Sequence, residues 1–176
     1  MAFTDPEKNI NMLEVREGQH IADFGSGSGF YSLATAVKVG DTGRVYAIDV
    51  QKEMLEKLKD VALKQNLQNI ETVWADIDEV GGSSLADESM DGAIVSNVLF
   101  QSEDKVSLAK EVKRTLKPNS KVLLVEWSDS FGNLGPAPDD VVKKEDAINL
   151  FTSIGFLTER EFDAGDHHYG VILRKG

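Results

Sequence analysis

One short segment carries the residue types best suited to holding a ligand: an acid followed by three closely spaced glycines, Asp23, Gly25, Gly27 and Gly29. Glycine lets a backbone turn tightly and approach a ligand with no side chain in the way. The apolar run before this segment predicts a strand and the pattern after it a helix. In an open α/β sheet, ligands bind at the carboxyl ends of strands. We therefore expect a nucleotide-like ligand at this loop, which also holds Ser26.

The glycine spacing excludes two common phosphate-binding loops. A dinucleotide fingerprint, G-x-G-x-x-G, would need glycine where the chain has Phe30 or Ser32. A P-loop needs a Gly-Lys-Ser/Thr sequence that does not follow. The carboxylate of Asp23 would repel a pyrophosphate and attract a cationic amine. The loop thus favours a nucleoside with a positively charged arm.

Two further acids follow the next two predicted strands. Asp49 ends the second strand, where an acid accepts hydrogen bonds from ribose hydroxyls, and Val50 beside it can pack on a base. Asp76 ends the third strand, where its carboxylate can accept from an exocyclic amine. Three acids then lie along one edge of the sheet. The alternative is that Asp49 and Asp76 cap the following helices, and that Met54 is a core residue.

Short β-branched runs alternate with amphipathic stretches, which predicts βαβ units around a parallel sheet. The predicted strands are 20–24, 44–50, 70–75, 90–98 and 121–127, and the predicted helices 32–39, 51–65 and 104–116, with a turn at 117–120. The tail predicts a helix at about 143–154 and strands at 156–162 and 169–174. A turn at 164–167 would join these two strands as a hairpin, which predicts an antiparallel edge on the sheet.

Composition restricts the chemistry. The 176 residues contain no cysteine, which excludes disulfides, thiolate metal sites and cysteine nucleophiles. A net charge of −11 repels nucleic-acid phosphates, so we expect no nucleic-acid partner. The chain shows no secretory signal and no long apolar window, so we expect no membrane partner and a cytoplasmic location. No His/Asp/Glu set has metal-ligand spacing, so no metal site is predicted.

Five segments together resemble the class I S-adenosylmethionine-dependent methyltransferases. They are ADFGSGSG (22–29), YAIDV (46–50), WADI (74–77), MDGAIVSNVLF (90–100) and LKPNSKVLLVEW (116–127). Each motif alone is weak, but five in the right order and spacing make a strong signal. The likeness covers roughly residues 15–175 and is greatest to the small-molecule branch that includes ubiquinone/menaquinone-biosynthesis methyltransferases.

The resemblance implies a fold and a domain organisation. The fold is α/β, a Rossmann-like three-layer sandwich whose mostly parallel seven-stranded sheet ends in an antiparallel C-terminal hairpin. We expect a single domain over residues 1–176. Residues 1–17 would form an N-terminal helix or cap, 18–127 the cofactor-binding core, 128–138 a loop, and 139–176 the C-terminal helix and hairpin. Asp5 and Pro6 suit the start of the N-terminal helix.

The resemblance also implies S-adenosylmethionine as cofactor. Asp23 would orient the methionine amino group, the backbone from Gly25 to Gly29 would lie beside the methionine and ribose, and Asp49 would hold the ribose hydroxyls. The remaining implied contacts are Val50 and Met54 at the adenine, Asp76 and Ile77 at its amine and ring nitrogen, and Ser96 and Asn97 near the sulfonium.

The implied reaction is methyl transfer to a small-molecule acceptor by in-line displacement. Such a reaction needs positioning more than a general base, so no catalytic residue is assigned. The enzymes that methylate amines of nucleic-acid bases carry a Pro-Pro motif after the fourth strand, and no Pro-Pro follows Asn97, so base amines are unexpected acceptors. Related arsenite methyltransferases depend on cysteines, which this chain lacks, so arsenite is an unexpected acceptor too. An alternative is a non-catalytic protein that binds S-adenosylmethionine or S-adenosylhomocysteine as a sensor or partner subunit. An NAD-dependent oxidoreductase is a weaker alternative, against which Phe30 argues.

Position along the chain suggests the walls of the acceptor pocket. Phe30, Tyr31, Phe100 and Gln101 would line it, and the 128–138 loop would cover it. His167 and His168 lie in the predicted hairpin. They are either exposed surface residues or a base and acceptor-orienting pair at the mouth of the pocket. No pattern in the chain predicts an oligomeric state.

Overall fold

The computed structural model describes residues 4–132 and 134–176, so what was expected of residues 1–3 and of Asn133 lies outside the described residues. Helices and strands alternate in the predicted order. The helices are α1 (Pro6–Leu13), α2 (Phe30–Val39), α3 (Lys52–Lys64), α4 (Lys105–Thr115) and α5 (Lys144–Ser153). The strands are β1 (His20–Phe24), β2 (Arg44–Asp49), β3 (Ile70–Trp74), β4 (Met90–Ser96), β5 (Leu116–Trp127), β6 (Phe156–Gly165) and β7 (His168–Lys175).

The strands form one sheet in the order β3-β2-β1-β4-β5-β7-β6. Neighbours pair in parallel from β3 to β5, and β7 runs antiparallel to both β5 and β6. The predicted fold is thus confirmed. The chain moves from β1 to one edge and then from β4 to the other. Right-handed crossovers place α2 and α3 on one face and α4 on the opposite face. The reversal between β1 and β4 creates the crevice where such sheets bind ligands.

Apolar side chains cover both faces of the sheet. Ile10 of α1 and Val39 of α2 pack on one face with Leu123 and Val125 of β5. Helices α4 and α5 pack on the other face against the alternate residues of β5. A strand buried on both faces needs a continuous apolar run, which β5 has from residue 122 to 125.

The N-terminal helix begins as the sequence suggested. Asp5 is the N-cap of α1, and its carboxylate accepts a hydrogen bond from the Lys8 amide at 3.0 Å. Ile10 and Leu13 on the same helix are buried against the sheet. The capping side chain thus fixes where α1 begins, and its apolar face fixes where it lies.

Two expected turns differ in the structure. Strand β5 begins at Leu116, which pairs with Met90, before a bulge in which Asn119 has φ 63° and after which Lys121 pairs with Gly92. The separate turn at 117–120 was therefore wrong. The C-terminal hairpin turns over residues 166–167 alone, because His167 takes φ 62°, a conformation that short hairpin loops require.

Glu111 on α4 fastens the segment between β3 and β4. Its buried carboxylate accepts hydrogen bonds from the amides of Gly81 at 2.6 Å and Ser83 at 3.2 Å, and it pairs with Arg114 at 2.7 Å. Burial alone would raise its pKa, but these donors outweigh burial and lower the pKa to about 2. The ionised carboxylate therefore stabilises the fold.

We expect Glu111→Gln to lower the free energy of unfolding by about 1.5–3 kcal/mol at pH 7, because hydrogen bonds to a charged group are lost. The folded pKa is depressed, so this stabilisation is present above pH 4.5 and is lost as the pH falls toward 2. Urea unfolding at pH 7 and at pH 3 should show the difference shrinking. Glu56→Gln, an exposed change on α3, is the control. A loss of equal size at both pH values would contradict the role of the charge.

Candidate functional site

A cavity of about 390 Å³ opens at the carboxyl ends of β1 to β4. It lies beside the switch point between β1 and β4. Most of the predicted cofactor residues line it: Asp23, Gly25, Ser26, Gly27, Asp49, Val50, Asp76, Ile77, Ser96 and Asn97. Phe30, Tyr31 and Gln101, predicted as acceptor residues, line it too. The fold therefore brings residues from four separate strand ends to one place.

The glycine loop turns back beneath the end of β2. The amides of Gly25 and Ser26 both donate to the carbonyl of Ile48, at 2.8 and 2.9 Å. Gly25 has φ 72°, and a Cβ there would lie 2.5 Å from Val98 Cγ2. Gly27 lines the cavity with φ 50°, and within the part of the chain that the structure describes nothing beyond its chain neighbours lies within 4 Å of its Cβ position. Gly25 is thus required by packing, whereas Gly27 leaves space open on the cavity side.

Gly29 is not among the residues that line the cavity. It is the N-cap of α2 with φ 80°, and a Cβ there would lie 2.3 Å from Leu58 Cδ1. The third glycine of the motif therefore allows α3 to pack closely on the start of α2.

Asp49 joins the glycine loop to the start of α3. One carboxylate oxygen accepts from the Gly27 amide at 2.8 Å and the other from the Gln51 amide at 2.8 Å. The side chain is buried yet reaches the cavity. A carboxylate has about four acceptor positions, so two remain for a ligand. Capping and ligand binding are therefore compatible roles for this residue.

Asp23 lies at the base of the cavity and is almost fully buried. The Ser32 hydroxyl donates to its carboxylate at 2.6 Å. Burial raises the pKa of Asp23 to about 7, and the nearby carboxylate of Asp49 adds to this, while the Ser32 hydrogen bond opposes it. A cation bound beside Asp23 would relieve both unfavourable contributions.

The third acid has a partner that the sequence analysis did not single out. Asp76 follows β3 and accepts from the Asp78 amide at 2.9 Å. Asp78 also lines the cavity and accepts from the Ser102 hydroxyl at 2.7 Å, which joins the β3 and β4 loops. All four charged side chains in the described lining are carboxylates. The cavity is therefore suited to a cationic or neutral ligand.

Two polar atoms at the cavity are buried and have no hydrogen-bond partner among the described residues. They are Ser26 Oγ and Asn97 Oδ1. Buried polar groups are normally satisfied, so each such atom calls for an explanation. A polar ligand in the cavity would supply the missing partners, and the residues present therefore fit a nucleoside-type cofactor.

Met54, Phe100 and the two hairpin histidines, which were also predicted as site residues, lie outside the lining. His168 is buried rather than exposed. Its Nδ1 lies 2.7 Å from the Asp166 carbonyl, its ring packs at 4.1 Å on Trp127, and burial lowers its pKa. His167 Nδ1 lies 2.8 Å from Asp129, and its ring stacks on Phe131 at 4.2 Å. His167 therefore links the hairpin to the 128–138 loop, and His168 packs the hairpin on the end of β5.

The cavity also contains residues whose side chains were given no individual role: Thr4, Ser28, Gln51, Asp78, Val98 and Ser102. Ser28 lies within the backbone from Gly25 to Gly29 that was expected at the ligand, and Gln51 directly follows the predicted Val50, so a wider window around that motif would have included it. Thr4 reaches the site only because α1 packs beside α2, which no local pattern indicates.

Two negative findings concern the described residues. No group of three His, Asp or Glu side chains there could hold a metal ion. None of their helices is long and apolar enough to cross a bilayer.

Comparison with known proteins agrees with the geometry. The methyltransferase-domain family matches residues 16–166. An arsenite methyltransferase of Halobacterium salinarum is 29% identical over 131 residues, which cover 74% of this chain and 32% of that protein. A ubiquinone/menaquinone biosynthesis C-methyltransferase of Haemophilus ducreyi is 32% identical over 123 residues, which cover 68% of this chain and 45% of that protein. The chain thus spans less than half the length of these two relatives.

Solved structures show the same fold. An S-adenosylmethionine-dependent methyltransferase from Aquifex aeolicus has a TM-score of 0.88 and 26% identity, covering 99% of this chain and 91% of that one. The [4+2]-cyclase SpnF, at 13% identity and a TM-score of 0.80, shares the fold alone. The resemblance drawn from the motifs is confirmed, and with it S-adenosylmethionine as the cofactor of the family. The chain belongs to the methyltransferase-domain family, as a class I S-adenosylmethionine-dependent methyltransferase domain.

Proposed function

We propose that this chain transfers a methyl group from S-adenosylmethionine to a small, non-anionic molecule. The observation that carries the proposal is the lining of the cavity, where the buried carboxylates of Asp23 and Asp49 and the exposed carboxylate of Asp76 follow successive strands. Ser26 Oγ and Asn97 Oδ1, of the same lining, have no hydrogen-bond partner among the described residues. These groups match a ligand with an ammonium group, ribose hydroxyls and an adenine amine.

The proposed contacts follow from the chemistry of each group. Asp23 would face the ammonium group, because a buried carboxylate gains most from a cation. Asp49 would accept from the ribose hydroxyls and Asp76 from the adenine amine. Val50, more than half exposed at the rim, would cover the base. Gly27 would lie against the ligand, since none of the described residues occupies the space at its Cβ position.

The residues of this chain position the reactants and exclude water. S-adenosylmethionine supplies a methyl group already activated by the sulfonium. Holding two reactants in line can lower the barrier by about 7–11 kcal/mol in favourable cases. Tyr31 of α2 and Ser96 of β4 both line the cavity and would confine the acceptor side. No general base is required where the acceptor does not lose its proton early.

The acceptor class is inferred from charge and exposed apolar surface. No lysine or arginine is found in the described lining, so the only charged groups there that an anionic acceptor would meet are carboxylates. Phe30 lines the cavity with 68% of its surface exposed, which offers an aromatic face at the mouth. The quinone-pathway relative acts in ubiquinone/menaquinone biosynthesis, which agrees with a neutral ring acceptor. Arsenic prefers soft thiolate ligands, and the chain has no cysteine to supply one. The proposal therefore does not extend to arsenite, which the Halobacterium relative methylates according to its name.

The proposal is tested by turnover. The protein is incubated with S-adenosylmethionine and either neutral phenols and quinols or carboxylated analogues of the same rings, and S-adenosylhomocysteine formation is measured. We expect product with members of the neutral set and at least about tenfold less with their anionic analogues. Tight cofactor binding without turnover on any acceptor would favour the alternative, a non-catalytic binding protein.

The pH dependence of cofactor binding should report on Asp23. Its folded pKa of about 7 means that a bound ammonium group must displace a proton below that pH. We expect the affinity for S-adenosylmethionine to rise up to about tenfold per pH unit below pH 7 and then level off. Glu126 also has a pKa raised to about 7, so the contribution of Asp23 is identified by the variant Asp23→Asn.

Asp23→Asn should weaken binding and flatten its pH dependence, measured by calorimetry between pH 5.5 and pH 8.5. The free energy of unfolding of this variant should change in the opposite direction to its affinity, so the variant should be more stable than the wild type near and above pH 7. An unfolded Asp loses its proton near pH 4 and the folded one near pH 7, so the native protein loses stability as the pH rises between them. The variant lacks that loss. Methylthioadenosine, which has no ammonium group, is the control ligand. The same pH dependence for both ligands would contradict the role of Asp23.

A further inference from the structure

Glu126 is a fully buried acid with no charged partner within the described parts of the chain. It is the penultimate residue of β5, on the face of the sheet that α4 and α5 cover. An isolated carboxylate is costly to bury unless hydrogen bonds satisfy it. The Leu99 amide donates to Oε2 at 2.9 Å and the Trp127 amide to Oε1 at 3.1 Å. The carboxylate is therefore kept in the core by backbone donors.

These donors connect Glu126 to the cavity wall. Leu99 belongs to the segment 97–101, which follows β4 and forms a short 3-10 helix at Leu99–Gln101. Asn97, Val98 and Gln101 of this segment line the cavity, whereas Glu126 does not. Burial raises the pKa of Glu126, and amides of Trp127, Leu99, Phe100 and Val98 oppose that rise. One carboxylate thus faces several consecutive amides of the segment.

The same segment is held in an unfavourable backbone conformation. Asn97 has φ 55°, which few residues other than glycine adopt. Its amide donates to the Val125 carbonyl at 2.9 Å, and its carbonyl accepts from Gln101 Nε2 at 2.8 Å. Such a conformation persists only where surrounding contacts enforce it. Val98 in turn lies against Gly25, so the position of the segment also determines that of the glycine loop.

We propose that Glu126 is a positioning residue for methyl transfer: its carboxylate anchors segment 97–101 and so sets the wall of the cavity that faces the cofactor's reactive end. The inference rests on the proposed function of the cavity. A glutamine at this position has the same shape but only one acceptor oxygen, and its NH2 group would face a backbone amide. Glu126→Gln should therefore release one of the two amides while keeping the packing.

The test compares two buried glutamates. Glu111 also accepts two loop amides, but from Gly81 and Ser83, which are not part of the cavity lining. S-adenosylhomocysteine binding to the wild type, Glu126→Gln and Glu111→Gln is measured by calorimetry, with thermal unfolding of each. We expect Glu126→Gln to weaken binding by about tenfold or more. Glu111→Gln should lose stability and keep its dissociation constant within about twofold.

A measurement on the wild-type protein covers the case in which Glu126→Gln does not fold. Hydrogen exchange with and without S-adenosylhomocysteine should show added protection at residues 97–101 and none at 81–83. Unchanged affinity in a folded Glu126→Gln, or unchanged exchange at 97–101, would overturn the positioning role. A wild-type protein that binds no S-adenosylhomocysteine would instead overturn the proposed function on which it rests.

Discussion

Replacing Asp49 with alanine is expected to weaken S-adenosylmethionine binding by at least about 100-fold. Hydrogen bonds to a charged group are worth about 1.5–3 kcal/mol each, and two ribose hydroxyls would lose their acceptor. The change also removes the acceptor that the Gly27 and Gln51 amides share. The glycine loop would then lose a contact that shapes the cavity, so both effects act in the same direction.

Asp91→Ala is the matched control for this change. Asp91 is also an acid on a strand of the same sheet, and it accepts the His20 amide at 2.8 Å. It belongs to β4 near its amino end, away from the cavity. Calorimetry should show the affinity of Asp91→Ala within about twofold of wild type. An Asp49→Ala variant that binds as well as this control would remove Asp49 from the cofactor site.

Gly27→Ala is expected to leave the protein folded and to weaken cofactor binding by about 10- to 100-fold. A Cβ at this position would lie more than 4 Å from every described residue other than its chain neighbours, so the added methyl group would occupy cavity space. Forcing an extra carbon into a filled site costs about 1–3 kcal/mol. Calorimetry should show the effect as a larger dissociation constant. The unfolding temperature should fall only by the amount that a non-glycine residue with positive φ costs.

Gly81→Ala separates that backbone cost from the loss of cavity space. Gly81 has φ 88° and also has open space at its Cβ position, but it does not line the cavity. Each substitution carries a left-handed penalty of about 1–2 kcal/mol. The two variants should therefore lose similar stability, while only Gly27→Ala loses affinity. Equal affinities would show that the ligand does not approach the Gly27 backbone.

The sequence was most informative where a pattern is local. The alternation of apolar and amphipathic runs predicts every strand, and acids at strand ends predict the line of Asp23, Asp49 and Asp76 along one edge. Both follow from periodicity and from the rule that parallel strands present their carboxyl ends together. The same logic places Gly25 and Gly27 at the cavity.

The sequence was less informative where contacts are distant along the chain. Gly29 has the same residue type and spacing as Gly27, but Leu58 of α3 occupies the space beside it. His168 looks like a surface residue, yet pairing of β7 with β5 places it on Trp127. Glu126 looks like the polar end of an apolar strand, and only the fold of segment 97–101 gives its carboxylate amide donors. Such roles depend on tertiary packing that one sequence does not display.

Calorimetric titration of the wild-type protein with S-adenosylmethionine, S-adenosylhomocysteine and NAD tests whether the cavity is the cofactor site. We expect micromolar binding of the first two, because both carry the ammonium group, ribose and adenine that the cavity carboxylates would recognise. We expect no binding of NAD, because a pyrophosphate would meet the carboxylates of Asp23 and Asp49. Binding of NAD, or of none of the three, would show that the cavity does not recognise the cofactor in this way.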